Sequence, residues 1–219
     1  MDKKAFLRTT PLFEGVGDGV VAEISQHVFE KQLKRGEAVT SDGSKGMALY
    51  FVAEGVVKVY KTSSEGKEQI LNIVRPGDYF NEMVLDNKST MANAEAMGPV
   101  LLYGIRKTRL RTILSRYPKI ASNMYNMLTG RIRHFVSLVE DLSFRTVTAR
   151  VAKVLVENSQ AAGGVRLTQR DIASIVGTAR EVVNRSLRYL DDHDLLEMRR
   201  QHIVLKNIEG LKEFAEIGA

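Results

Sequence analysis

The sequence predicts an α+β chain: a strand-rich first half, one long amphipathic helix, and a helical C-terminal part ending in a small hairpin. Three observations carry this. Turn signals at Gly36-Glu37, Asp42-Gly43, Glu54-Gly55, Glu65-Gly66 and Pro76-Gly77-Asp78 recur roughly every 8–12 residues, the spacing of a β-sandwich or barrel. From Pro118 to Leu142 no further proline occurs, and apolar residues fall in steps of three and four. Between Leu167 and Leu190 two short helical patterns flank Gly177.

Taken in chain order, Gly19–Phe29 has the pattern of a short amphipathic helix. Strands are expected at Ala48–Val52, Val56–Tyr60, Gln69–Val74 and Val100–Ile105, which are rich in β-branched and aromatic residues. Pro118 suits the first position of a helix, where its missing N–H is not needed. The helix that follows is longer than most globular helices. Its stripe includes Met124, Met127, Leu128, Ile132, Phe135, Leu138 and Val139. Such a stripe packs either on the chain's own β-domain or on a second copy of itself, and its length favours a homodimer. Ser143-Phe144-Arg145-Thr146 reads as a hinge, with Thr146 capping a helix to about Asn158. The expected divisions are residues 1–117, 118–143 and 144–219.

Composition narrows the function classes. The chain has 219 residues, 44% of them apolar, enough for two modest domains. It has no cysteine, which excludes disulfides, thiolate-held zinc and a cysteine-held iron–sulfur cluster. No metal site is expected. The apolar runs are too short to span a bilayer, and the N-terminus lacks a signal-peptide pattern, so a soluble cytoplasmic protein with no membrane partner is expected. Net charge is +6. Residues 1–105 carry 12 basic and 14 acidic side chains, whereas residues 106–144 carry 8 and 2. An excess of that kind fits an anionic partner or a solvated helical face.

The segment from Leu167 to Leu190 carries the chemistry. Thr168-Gln169-Arg170-Asp171 has the form of a capping box with Asp in the Glu place, and Gly177 ends the helix it starts. Thr178-Ala179-Arg180-Glu181 has the form of a second box opening a second helix. Two helices joined through a glycine turn make a helix-turn-helix. At about 100° per residue, Arg180, Asn184, Arg188, Glu181 and Arg185 share one face of the second helix, and the opposite face is apolar. Arginine can grip guanine O6 and N7 with two hydrogen bonds, and Glu can accept from cytosine N4. An ordinary amphipathic surface helix explains the apolar face but not the paired caps, the glycine turn and three arginines together. Leu195–Leu205 alternates as a small hairpin whose basic tip, with Arg200, suits a wing on phosphates. An enzyme is not expected: there is no P-loop, His-Glu-x-x-His or nucleophile elbow, and the β-region holds only His27, too little for a cupin metal site.

At these residues the chain resembles the CRP/FNR superfamily of bacterial regulators. The resemblance rests on Pro11-Leu12-Phe13-Glu14-Gly15-Val16, Lys34-Arg35-Gly36-Glu37, Leu49–Gly55 and Pro76–Glu82 in the first half. In the second half it rests on Leu167–Ala173 and Gly177–Arg185. It implies an N-terminal double-stranded β-helix (jelly-roll) sensor, a long dimerisation helix and a C-terminal winged helix-turn-helix. It also implies an allosterically controlled homodimer on pseudo-palindromic double-stranded DNA, with RNA polymerase a further partner. Arg180, Glu181 and Arg185 resemble the cAMP-receptor branch, with TGTGA-like half-sites. On that resemblance the two arginines read guanines and Glu181 reads a cytosine. Thr168 and Gln169 would contact phosphates, with Asn184, Arg188 and Arg200 in auxiliary roles, while Ala179 stands where a hydroxyl residue often sits.

The effector pocket implied by the resemblance comprises Asn81, Glu82, Thr90, Met91, Phe135 and Val136. Glu82 matches the acid that holds a ribose hydroxyl, and Asn81 replaces the usual glycine before it. Thr90 and Met91 stand where an Arg-Ser pair would clamp a cyclic phosphate, so cAMP is not expected as a tight ligand. Lys88 is near enough in sequence to serve as a substitute cation. Two further possibilities stay open: constitutive DNA binding without effector, and a haem-dependent gas sensor with His27, His134, His193 or His202 as axial ligand. Glu82 as a buried acid with no ligand role is the plainer alternative at that position.

Overall fold

The computed structural model describes residues 2–217 except 87, 162–164 and 200–201. It divides into two compact units, residues 1–61 with 72–134, and residues 62–71 with 135–219. Among the described residues no helix is long and apolar enough to cross a membrane.

The first unit opens with helices α1 (Lys3–Thr9) and α2 (Asp18–Ser25). The sequence pattern carried the second helix to Phe29, but it stops at Ser25, and Val28 already belongs to strand β1 (Val28–Leu33). The strands β2 (Ala38–Thr40), β3 (Ala48–Glu54), β4 (Val57–Thr62), β5 (Glu68–Val74), β6 (Tyr79–Phe80), β7 (Asn93–Ala96) and β8 (Val100–Arg106) follow. They form two four-stranded sheets, in the orders β1-β8-β3-β6 and β2-β7-β4-β5. The β1–β8, β3–β8, β3–β6, β2–β7 and β4–β7 pairs are antiparallel.

Alternation along β3 explains its unbroken apolar run. Leu49 and Phe51 point into a core shared with Phe6, Leu12, Leu110 and Ile120, whereas Ala48, Tyr50 and Val52 point into a core with Val57, Phe80, Ala94 and Leu102. A strand buried on both faces has no polar phase to show. Gly104 of β8 lies opposite Phe29, and a Cβ there would meet the Phe29 ring at 2.3–2.8 Å, so only glycine fits beside that ring.

Helix α3 (Lys107–Arg116) leads to the long helix α4 (Pro118–Phe144). The first turns of α4 belong to the β-domain: Ile120, Met124 and Met127 are buried in the first core, and the Asn123 amide donates to the carbonyls of Leu12 (3.0 Å) and Glu14 (2.8 Å). This corrects the expectation that Met124 and Met127 belong to the stripe offered to a partner. Their side chains are already covered by the chain's own core, 3% and 8% exposed.

In the second unit, Thr146 accepts from the Ala149 N–H and caps α5 (Val147–Gln160) as expected. Helices α6 (Gln169–Val176) and α7 (Arg180–Asp192), a hairpin of β9 (Leu196–Arg199) and β10 (His202–Leu205), and α8 (Ile208–Ile217) complete it. Val151, Leu155, Ile172, Val176, Val183, Leu187, Leu196 and Leu211 form one apolar core from these elements. The architecture is therefore α+β, with antiparallel sheets first, a long helix next and a helix-turn-helix domain last.

Candidate DNA-reading face and effector region

The helix-turn-helix is built by local chemistry. The Thr168 hydroxyl accepts from the Asp171 N–H (3.1 Å), and Asp171 Oδ2 accepts from the Thr168 N–H (2.8 Å), so the first capping box is complete. Gly177 adopts φ 71°, ψ 42°, the left-handed conformation that ends α6. The Thr178 N–H then bonds back to the Ala173 carbonyl at 3.0 Å. That bond draws Thr178 into the turn. Helix α7 starts one residue later than the second expected box required: Ala179 is the N-cap, and no side chain caps it. Ala179, Arg180 and Glu181 at this start are exposed.

On α7 the buried residues are Val183, Ser186, Leu187 and Leu190, and the exposed ones include Arg180, Glu181, Arg185 and Arg188, with Asn184 half-buried. Among the described residues, Arg180, Glu181, Arg185 and Arg188 enter no ion pair. Ser186 is the polar member of the inner face, and its hydroxyl meets Thr148 Oγ1 of α5 at 3.0 Å. Thr168 is exposed and Gln169 half-buried at the start of α6. Arg200 lies outside the described residues.

Two domain models match this chain: a cyclic nucleotide-binding domain at residues 30–117 and a Crp-like helix-turn-helix domain at residues 149–214. The chain belongs to the CRP/FNR family of DNA-binding transcription regulators. A CRP-like cAMP-activated global transcriptional regulator of Mycobacterium tuberculosis is 28% identical over 210 residues, which cover 91% of this chain and 94% of that protein. The cyclic AMP receptor protein of Thermus thermophilus is 28% identical over 213 residues, covering 95% and 98%. The solved structure of FixK2 from Bradyrhizobium japonicum is similar with a TM-score of 0.77 and 26% identity, over 85% of this chain and 96% of that one. The name of the Mycobacterium relative is that of a regulator, in line with the expectation drawn from the absence of catalytic motifs.

Asn81 sits at φ 67°, ψ 37°. Glycine is the default in that left-handed region and asparagine is among the few side chains that tolerate it, which explains how asparagine serves where the family has glycine. Its amide donates to the Ala48 carbonyl at 2.8 Å. Glu82 begins a short 3-10 turn, Glu82–Leu85, and its carboxylate accepts from Arg131 Nε of α4 at 2.9 Å. Arg131 also donates to the Tyr79 carbonyl (3.0 Å) and lies over the Tyr79 ring, 5.3 Å from its centroid. The pair is mostly buried, with side chains 20% and 13% exposed. Burial, with the Glu82 carboxylate as the next cause, pushes the Tyr79 phenol up to about 12.

Thr90 is buried, and its hydroxyl donates to the Ser41 carbonyl (2.5 Å) and meets Ser44 Oγ at 3.1 Å. Met91 is exposed, and Phe135 and Val136 are exposed on α4. Lys88 lines a different cavity from the one beside Arg131. The cavity beside Arg131, about 390 Å³, is lined by Glu14, Asp78, Asn123, Asn126 and His134 among others. No signal in the sequence linked Arg131 to Glu82, which stand 49 residues apart.

Proposed function

We propose that this regulator works as a homodimer that reads pseudo-palindromic DNA with TGTGA-like half-sites. Arg180 and Arg185 grip guanines in the major groove, and Glu181 accepts from a cytosine. The exposed, unpaired Arg180–Glu181–Arg185 face of α7 carries this reading. Groups that folding leaves without protein partners are free to meet base edges. Thr168, Gln169, Asn184 and Arg188 flank that face as auxiliary or phosphate contacts, and the uncapped first turn of α7 offers backbone N–H donors to a phosphate.

Dimerisation rests on the part of α4 left uncovered. Leu128, Ile132, Phe135, Val136, Val139 and Leu142 are all 38–63% exposed, and they follow helical spacing. Exposed apolar side chains in such a row mark an interface. A two-fold copy would set two reading helices roughly 34 Å apart, one helical turn of DNA.

The β-domain senses something other than cAMP, or holds the dimer in a DNA-binding state with no effector. The Arg131–Glu82 pair favours the second reading. A ribose hydroxyl would have to displace a guanidinium already bonded at 2.9 Å, and neither Thr90 nor Met91 supplies the charge-assisted bond a cyclic phosphate needs. If an effector acts, it does so by differential affinity for two seatings of α4 against the Glu82–Leu85 turn. Contact with RNA polymerase belongs to the same proposal.

The test is fluorescence anisotropy with a TGTGA palindrome and a scrambled duplex at fixed salt, since phosphate contacts make affinity salt-dependent. We expect at least tenfold preference for the palindrome without added nucleotide. Equal affinity for both duplexes would sink the reading. Calorimetry showing micromolar or tighter cAMP would overturn the effector part alone.

A further inference from the structure

Lys88 opens onto a depression of about 470 Å³ lined by Lys45, Gly46, Met47, Lys88, Arg106, Lys107 and Thr108. Four of these seven residues are cations and none is acidic. They come from three segments that backbone bonds hold together. Lys45 forms a β-bridge with Ser89, the Thr90 N–H donates to the Ser44 carbonyl (2.8 Å), and the Lys107 N–H donates to the Met47 carbonyl (3.0 Å). Lys107 Nζ is further held by the Asp86 carbonyl at 2.7 Å, and Arg106 lies over the Phe29 ring at 5.5 Å. The Asp86 carboxylate is turned to the Lys88 backbone N–H (3.4 Å). Among the described residues, none of the four cations forms an ion pair.

Four like charges around one concavity repel, and a multivalent anion removes that repulsion. Several cations of this protein are paired with acids, as Lys58 is with Glu95 and Arg116 with Glu23. These four are not, although they are placed by ordered backbone; Asp86, the acid beside them, meets Lys107 Nζ through its carbonyl and the Lys88 N–H through its carboxylate. The volume falls within the range of small-molecule sites. Lysine ammonium groups suit phosphate oxygens as point charges, and Arg106 can hold two of them at once.

We infer that this depression binds a phosphoanhydride, a ligand with two or more linked phosphates, at a site separate from the cyclic nucleotide region. Free pyrophosphate and the phosphate chain of a nucleoside triphosphate share that chemistry. The site is independent of the DNA-reading face, so it stands or falls separately from the function proposed above.

The test is titration calorimetry of the whole protein at about 150 mM salt, with inorganic pyrophosphate and then ATP as probes. We expect saturable binding of one pyrophosphate per chain. Lys45→Gln/Lys88→Gln should weaken it at least tenfold, while Arg180→Ala/Arg185→Ala leaves it unchanged. ATP binding equal to pyrophosphate assigns recognition to the phosphate chain alone, and tighter ATP binding assigns part of it to the nucleoside. Lys88→Gln alone, expected to weaken binding at least threefold, serves if the double variant fails to fold. Absence of saturable pyrophosphate binding below 1 mM, or its loss in the α7 variant and not in the lysine variants, would overturn the assignment.

Discussion

Replacing Arg131 with methionine keeps the length of the side chain and removes its charge. Three interactions go with it. The bond to the Tyr79 carbonyl contributes about 1 kcal/mol net. The guanidinium over the Tyr79 ring contributes about 0.5 kcal/mol. The largest effect is the Glu82 carboxylate left 13% exposed without a cation, for which about 1.5–2 kcal/mol is reasonable, below the range for a fully buried pair because water still reaches it. Arg131→Met should therefore cost about 3 kcal/mol. Glu82→Gln, which keeps an oxygen acceptor, should cost about 1 kcal/mol. The double variant should cost about 2 kcal/mol, because neutralising both partners strands neither, and the coupling is then about 2 kcal/mol. Scanning calorimetry at one fixed protein concentration reads this out, as a drop of about 6–12 °C for Arg131→Met in the transition that involves the β-domain. A coupling below about 0.5 kcal/mol would refute the view that the pair is the organising contact of this region.

Arg185→Ala should lose about 1–3 kcal/mol of affinity for the palindrome and relax base choice at one position per half-site; a uniform loss over all sequences would make it a phosphate contact instead. Val139→Asp, at a side chain 61% exposed, should yield a monomer in sedimentation velocity at micromolar concentration without lowering the melting temperature of the β-domain, and an unaltered dimer would take α4 out of the interface. Tyr79 has its phenol raised from 10 to about 12 on folding, by burial first and Glu82 next. Its contribution to stability is thus complete below pH 10 and is lost as pH climbs through about 12. The phenolate absorbance of wild type minus Tyr79→Phe should show this, and a step near pH 10 would contradict it.

The strands at 48–54, 57–62, 68–74 and 100–106 were legible because each is dense in β-branched and aromatic residues. Strand β7, Asn-Ala-Glu-Ala, was not, since small and polar residues carry no such signal and only the antiparallel β2 and β4 neighbours define it. Strand β1 was hidden because Val28 and Phe29 extend the helical spacing of Val20, Val21 and Ile24; the chain breaks that spacing to pair Val28 with Ile105. The reading helix was visible almost whole, because its caps, turn and polar face are local. The second capping box failed by one residue, for Gly177 and the Thr178–Ala173 bond consume the turn. A periodic stripe on α4 shows that something covers it, and only tertiary structure says that Met124 meets the chain's own core while Ile132 does not. The Glu82–Arg131 pair and the cavity of Lys45, Lys88, Arg106 and Lys107 join residues far apart in sequence, where no local rule reaches.

The hydroxyl contact between Thr148 and Ser186 has a consequence for specificity. It is a polar latch in an otherwise greasy seam between two helices. Turning α7 about its axis by one residue, about 100°, would break this hydrogen bond, at roughly 1 kcal/mol net. Packing of leucine and valine alone tolerates such slippage far better. The latch therefore indexes the rotation of the helix, and with it the set of side chains turned outward to meet a base pair.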